Sequence, residues 1–392
     1  MSNGWPTKPL GELLSFLTSG SRGWAEYYRE SGDLFLRIQN VGRNRMLLDD
    51  VAFVAAPNTA EARRTLVQSG DVLLSITADL GRTGVVPDGI GRAFINQHLA
   101  ILRVQNIHSP FLSAYLASPE GQKQVMGRNK HAVKAGLNFD DIRSFQIPLP
   151  PLAEQRRIAE VLDRAEALRA KRRAALAHLD SLTQSLFLAM FGDPATNPKG
   201  WPKQKLGDIA KQITDGEHQT PKRTTHGIKL LSARNVRDGF IDVTDVDYVS
   251  QEEHDRIKRR CNPEMGDVLI SCSGTIGRVA TVSTTEPFSL VRSVALIKPK
   301  GDIVDSTFLE NHLRTPALHS KMQRSANASS QANLFQGQIR ELPTTLPPIT
   351  MQREFARRVT AVEALKTAQR ASLAELDALF ATLQHRAFRG EL

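Results

Sequence analysis

The chain has 392 residues, with 51 Lys and Arg against 41 Asp and Glu, a formal net charge of +10 and a pI of about 9.7. That length predicts two or three domains with cores of their own, so no disulfide framework or structural metal is needed, and the two cysteines, Cys261 and Cys272, lack metal or redox spacing and are expected to be reduced thiols. No stretch reaches the roughly 18 apolar residues of a membrane span and the first residues lack a signal-peptide pattern, so a soluble cytoplasmic protein is expected, with a positive balance that suits a polyanionic partner.

In chain order, Trp5-Pro6 opens a mixed stretch in which residues 33–38, 71–76 and 98–104 read as short strands punctuated by glycine and proline. Short helices are predicted over residues 110–118 and 122–126. Pro150 and Pro151 then launch a long helix. Its apolar seam is predicted along Ile158, Val161, Ala165, Leu168, Arg172, Ala175, Leu179, Leu182, Leu186 and Ala189, a heptad pattern. After it, the chain says nearly the same thing again. Trp201-Pro202 repeats Trp5-Pro6, and Gly266–Ser271 (Gly-Asp-Val-Leu-Ile-Ser) repeats Gly70–Ser75 (Gly-Asp-Val-Leu-Leu-Ser). Strands are predicted at 228–231, 267–271 and 294–297, and helices at 306–314 and 317–323. Pro347 and Pro348 launch a second long helix, with a seam along Phe355, Val359, Val362, Lys366, Gln369, Leu373, Leu376, Phe380, Leu383 and Ala387.

An offset of roughly 196 residues is too long for a solenoid repeat. It is a duplicated α+β globule, built on a sheet, followed by a duplicated helix. The globule between the helices must bring the chain back, which favours an antiparallel pair, each helix about 38 residues and roughly 57 Å long. Both seams carry a polar break, at Arg172 and at Lys366 to Gln369, which either fixes register or lets those side chains reach out to water. Residues 1–151 hold 16 basic and 13 acidic side chains and residues 191–348 hold 21 and 18, so the positive excess is spread over both copies.

A reaction centre is not legible. The chain has no Gly-x-x-x-x-Gly-Lys-Ser/Thr, no His-Glu-x-x-His, no Gly-x-Ser-x-Gly and no Asn-Pro-Pro-aromatic. His98 lies in an apolar run and reads as a satisfied core histidine, while Asp140-Asp141 and Glu252-Glu253 read as solvated surface. Polar loops suited to DNA are present instead, because Arg pairs with guanine and Asn or Gln with adenine in the major groove. In the first copy the candidates are Ser21, Arg22, Gln39, Asn40, Arg43, Arg45, Arg82, Thr83 and Lys130. In the second they are His218, Gln219, Lys222, Arg223, Arg234, Asn235, Thr275, Arg278 and Gln331.

The residues at 213–221 (Ile-Thr-Asp-Gly-Glu-His-Gln-Thr-Pro) and at 266–277, and the Leu-Pro-Pro turns at 149–151 and 346–348 followed by Gln155-Arg156 and Gln352-Arg353, match a family pattern. The chain resembles the specificity subunit of type I restriction-modification systems. The first copy departs from that pattern with Trp24 behind its glycine-rich opening and with Thr77-Ala78-Asp79-Leu80-Gly81 in place of Ser-Gly-Thr-Ile-Gly. The resemblance implies two similar mixed α/β target-recognition domains, at 1–151 and 191–348. They are joined by two long antiparallel coiled-coil helices, at 152–190 and 349–392, in a pseudo-two-fold repeat. It implies a non-catalytic subunit that reads a bipartite site in double-stranded DNA, with the helices setting the spacer. The expected partners are two modification (methyltransferase) subunits and restriction subunits, which would hold S-adenosylmethionine, ATP and Mg²⁺, none of them bound by this chain. The readings set against it are a coiled-coil scaffold that binds only proteins and a self-contained DNA-modifying enzyme.

Overall fold

The structure, a computed structural model, describes residues 5–128, 136–327 and 332–392. The chain divides into two units, residues 1–173 with 371–392, and residues 174–370. Each unit contains one copy of the globule and a segment of each long helix.

In the first unit, a four-stranded antiparallel sheet runs Leu14–Ser19, Leu99–Val104, Val72–Ser75, Thr83–Val85. A second four-stranded sheet runs Tyr28–Arg29, Ala52–Val54, Asp33–Leu36, Ala93–Ile95, with its last two strands parallel. The central strand Val72–Ser75 is buried at every position because both its faces are covered. Val72 and Leu74 point into the core shared with the helices, and Leu73 points into a core on the opposite face. Leu99 and Ile101 alternate with Ala100 and Leu102 in the same way, the two-residue period of a strand. The strand expected over 33–38 is shorter: it stops at Leu36, and the chain bends into a 3-10 turn at Ile38–Asn40.

The second unit repeats this plan. Its sheets run Ala210–Asp215, Val294–Pro299, Val268–Ser271, Val279–Thr281 and Arg223–Thr224, Asp247–Val249, Ile228–Leu231, Phe288–Leu290. Val268 and Ile270 face one core and Leu269 the other. Its small ribbon, Val236–Arg237 with Phe240–Ile241, extends the antiparallel bridge that Val41 and Met46 make in the first copy. Paired helices lie at Ser109–Ala117 and Pro119–Arg128, and at Ser306–Leu313 and Pro316–Asn327.

The repeated motifs are architectural. Gly70 and Gly266 turn the chain with φ of 81° and 92°, which a side chain would strain. Asp71 then accepts from the Gln68 amide at 2.7 Å, and Asp267 from the Glu264 amide at 2.8 Å. Gln155 and Gln352 are buried at the start of the two long helices. Gln155 accepts from His108 N at 2.9 Å and donates to Pro150 O at 2.8 Å; Gln352 accepts from Asp305 N at 2.9 Å and donates to Pro347 O at 2.8 Å. Each glutamine thereby staples its helix to its own globule.

The long helices run Leu152–Phe191 and Ile349–Ala387. Within each unit their segments pair antiparallel. In the first, Arg157 donates to Leu392 O at 2.9 Å, while Arg169, further along, meets Asp377 at 2.6 Å. In the second, Asp180 meets Lys366 at 3.2 Å and Phe187 packs on Phe355. The seam predicted for the second helix is the inward face: Phe355, Val359, Val362, Lys366 and Ala387 are buried and its other positions half-buried. For the first helix, every other predicted position is displaced by one residue. Leu168 is 54% and Leu182 44% exposed, and the seam instead passes through Leu162, Arg169, Leu176 and Thr183. Reading for leucine placed the seam on the more apolar of two adjacent stripes, whereas the occupied stripe is partly polar. Lys366, at the predicted break of the second seam, does not snorkel: its side chain is 8% exposed and ion-paired. Arg169, which takes the seam place predicted for Leu168, is 16% exposed and ion-paired as well.

Aromatic side chains close the ends of the helices onto the globules. In the first unit Phe388 packs edge-on to Phe111 and Tyr115. In the second, Phe191 and Phe187 pack on Phe308 and Phe355. Phe308 and Phe111 hold equivalent places in the two copies.

Candidate nucleic-acid interface

The candidate loops are held by the second sheet and by the turn that ends the Gly-Asp-Val-Leu strand. In the first globule Gly20 lies so close to Asn96 that a Cβ would come within 2.1 Å of its carbonyl oxygen, so only glycine allows this opening to the loop. At its counterpart Gly216 a Cβ would come within 2.4 Å of the Leu290 carbonyl. Ser75 Oγ donates to Asp79 O at 2.6 Å and accepts from Arg82 N at 2.8 Å, which fixes the turn 76–82. Ser271 does the same with Thr275 O at 2.6 Å and Arg278 N at 2.9 Å.

Two of the candidate loops are thereby brought together. Arg45 N donates to Thr83 O at 3.0 Å and Thr83 N to Gly42 O at 3.0 Å, so the loop bearing Arg43 and Arg45 docks beside the turn bearing Arg82. Arg43 and Arg45 are exposed, and among the described residues no carboxylate lies within 4 Å of either. Arg82 is held by Asp79, its Nε donating at 2.6 Å. Gln39 and Arg22 are exposed.

Four candidates are corrected. Asn40 is buried, accepts from Arg37 N at 2.9 Å and donates to Leu47 O at 3.0 Å and Asp50 O at 2.8 Å. Asn235 repeats this with Ser232 N at 2.9 Å, Asp242 O at 3.0 Å and Asp245 O at 2.8 Å. Both amide hydrogens of each are spent on the chain itself, so neither is left to read a base edge. Thr83 is fully buried and donates to Ser113 O at 3.0 Å. Ser21 is buried and accepts from the Trp24 indole at 2.9 Å. Trp24 itself packs on Phe35 and Phe94, so the departure in this loop is a piece of core. Lys130 and Gln331 lie outside the described residues.

In the second globule three of the exposed candidates, His218, Arg223 and Arg234, are paired with carboxylates. Arg223 and Arg234 both reach Asp247, at 3.3 and 3.4 Å, and Arg234 also reaches Asp245 at 3.5 Å. His218 and Arg260 both reach Asp215, at 2.7 and 2.6 Å. Such exposed pairs contribute little to stability, about 0–1 kcal/mol, so a phosphate can displace the carboxylate at small cost. Gln219, Lys222 and Thr275 are exposed, and Arg278 is half-buried with no carboxylate within 4 Å among the described residues. Reading the sequence missed Arg260 and the ribbon tip, where Phe240 is exposed beside Arg237. In the first copy the matching hairpin is reduced to the antiparallel Val41–Met46 bridge, with Gly42 N donating to Arg45 O at 2.8 Å. The short signal of the ribbon, Val-Arg-Asp-Gly-Phe-Ile, contains the Asp238-Gly239 turn that could have revealed it.

Cys261 and Cys272 are buried, and burial pushes both thiols up to about 12, so they stay protonated. His98 is half-buried and bonded to Thr77 at 2.5 Å and Gln97 at 3.0 Å. Among the described residues no three His, Cys, Asp or Glu gather to hold a metal ion, and no helix is long and apolar enough to cross a membrane.

The chain matches the family model of the type I restriction modification DNA specificity domain twice, over residues 3–178 and 198–377. It is 24% identical to the type I restriction enzyme EcoBI specificity subunit of Escherichia coli, across 76% of this chain and 69% of that protein. It is 23% identical to the EcoKI specificity subunit of Escherichia coli (strain K12), across 100% of this chain and 90% of that protein. Among solved structures, the type I restriction-modification S subunit from M. genitalium shares its fold, with a TM-score of 0.62 at 14% identity, covering 99% of this chain and 97% of that one. A chain from a study of complex assembly and conformational transition of the type I R-M system does so too, with a TM-score of 0.62 at 20% identity, covering 100% and 99%. With two such matches, one on each copy, the chain belongs to the type I restriction-modification DNA specificity family.

Proposed function

We propose that each globule reads one half of a bipartite site in double-stranded DNA and that the long helices set the gap between the halves. The observation that carries this is the duplication itself: the same loop-bearing globule occurs in both units, each stapled by a buried glutamine to a long helix. The loops differ between the copies while the turns that hold them are the same, which is what two readers of different sequences need. Linking two weak half-site contacts makes the second effectively intramolecular and so raises total affinity.

The helices also offer a surface for partners. Leu168 and Leu182 on the first helix, and Leu365 and Leu379 on the second, are each 44–54% exposed and occupy equivalent positions. Two equal leucine pairs suit two copies of one partner. We assign them to two modification subunits, which would bind S-adenosylmethionine and methylate the site, while restriction subunits would supply ATP- and Mg²⁺-dependent cutting in the cytoplasm. This chain would then act without catalysing a step. A protein-only scaffold gives no reason for unpaired guanidinium groups on docked loops such as those of Arg43 and Arg45.

The test is adenine methylation mapped across the genome with and without this gene. A split motif that vanishes with the gene supports the reading, and an unchanged methylation map rejects it.

A further inference from the structure

The polar breaks in the two helix seams are one device used twice. On the first helix Glu166, Arg169 and Asp180 stand at the same positions as Glu363, Lys366 and Asp377 on the second. In the first unit Arg169 reaches across to Asp377, Nε to Oδ1 2.6 Å, while Glu166 holds the same guanidinium from its own helix. In the second, Lys366 reaches across to Asp180 at 3.2 Å, while Glu363 holds its ammonium at 2.8 Å. Each helix therefore gives its cation to the other's aspartate. Arg173 joins the first pair at 3.2 Å from Asp377, and the Arg169 guanidinium lies over the Phe380 ring at 4.2 Å.

An apolar heptad seam alone tolerates sliding by seven residues, because every knob finds an equivalent hole. These pairs do not tolerate it. A slide of one heptad would set Lys366 against Arg173 or Phe187, and Arg169 against Arg370 or Gln384. A cation as enclosed as Lys366 cannot be left facing another cation or a ring edge without heavy cost. Because the pairs are crossed, one slide breaks both.

We propose that these two crossed cation–aspartate pairs lock the register of the long helices and so hold the gap between the DNA half-sites to a single length. The proposal rests on the reading of the globules as half-site readers. Arg169, Asp180, Lys366 and Asp377 are positioning residues: they touch no DNA, and they act through the helices.

Two readouts on the full chain separate this lock from that reading. The first is the distance between spin labels at His178→Cys and Thr367→Cys, both exposed and both in the second unit, where buried Cys261 and Cys272 will not compete for label. The second is the gap length in the methylation motif when the chain is assembled with its modification subunits. Lys366→Glu should give a broadened or lengthened label distance, the helices having slid by about 5–10 Å along their axes, one turn to one heptad. It should also give methylation at more than one gap length with unchanged half-sites. Adding Asp180→Lys should restore one distance and one gap. Lys366→Met with Arg169→Met, which keeps side-chain bulk while removing both cations, guards against a variant that fails to fold and should show the same loss of register. A single unchanged distance in both Lys366 variants would overturn the lock. If the parent chain supports no split motif, the half-site reading fails, and the label distances alone still decide the lock.

Discussion

Arg103 grips Asp71 with two parallel hydrogen bonds, both 2.8 Å, and in the second copy Lys298 meets Asp267 at 2.7 Å in the same place. The aspartate is needed by the turn at the start of the central strand, so each copy supplies a cation from the neighbouring strand to neutralise it. The two solutions are not equal, because a guanidinium matches a carboxylate at two points and an ammonium at one. Arg103→Lys is therefore expected to weaken the first globule by about 1 kcal/mol, and Arg103→Ala, which leaves a buried carboxylate unpaired, by about 3–5 kcal/mol. Urea unfolding of the full chain measures both.

The buried asparagines should behave as scaffold. Asn40→Ala or Asn235→Ala strands one backbone donor and two carbonyls at the root of a candidate loop. Each is expected to cost about 2–3 kcal/mol of stability. Calorimetry checks the cost; an asparagine that read bases would instead alter the recognised half-site at unchanged thermal midpoint.

Residues kept identical in two copies whose loops differ are the sign of architecture, and this explains much of what the sequence disclosed. The strands at 72–75 and 268–271, their turns and the helix starts were legible because they depend on local apolar runs, glycine and proline. Asn40 and Asn235 lay in polar loops, and residue type alone cannot tell an amide that closes a turn from one that faces solvent. Their recurrence in both copies, next to Val41 and Val236, was the available signal. The first helix seam went astray because Leu168 and Leu182 face outward, a choice made by the partner helix and invisible to periodicity. Arg169 opposite Asp377, and Arg260 beside His218, are long-range pairings that no local pattern encodes.

Outward leucines should be dispensable for folding. Leu168→Glu with Leu365→Glu is expected to change stability by no more than about 0.5 kcal/mol per site. Leu162→Ala, in the closed seam, should cost about 2–5 kcal/mol. Co-purification with the modification subunit should fall in the first variant only, and retained assembly would remove these leucines from the proposed docking surface.

Acid should weaken the second unit through His312. Burial pushes this histidine down to about 4, against 6.5 for the free side chain. Between those values the unfolded chain takes up a proton that the folded chain excludes. The stability it contributes is therefore full above pH 6.5 and is lost as pH falls toward 4, on the order of 3 kcal/mol. Urea midpoints from pH 7 to 4.5 should fall more steeply for the parent than for His312→Leu, and parallel slopes would show that this histidine does not carry the effect.

Exposed guanidinium groups should act on one half-site each. Arg43→Ala with Arg45→Ala should weaken binding through the first half-site alone and lower the slope of log affinity against log salt by about one for each phosphate no longer neutralised. Arg278→Ala should do the same at the second half-site. Filter binding on duplexes with one half-site scrambled separates the two.

The central claim is that one globule reads one half of the site. Its most direct measurement replaces residues 1–151 with the corresponding globule of another family member and maps adenine methylation in cells holding the modification subunits. The account predicts a motif with one half exchanged, and with the other half and the gap unchanged. A motif altered in both halves, or in neither, would contradict it.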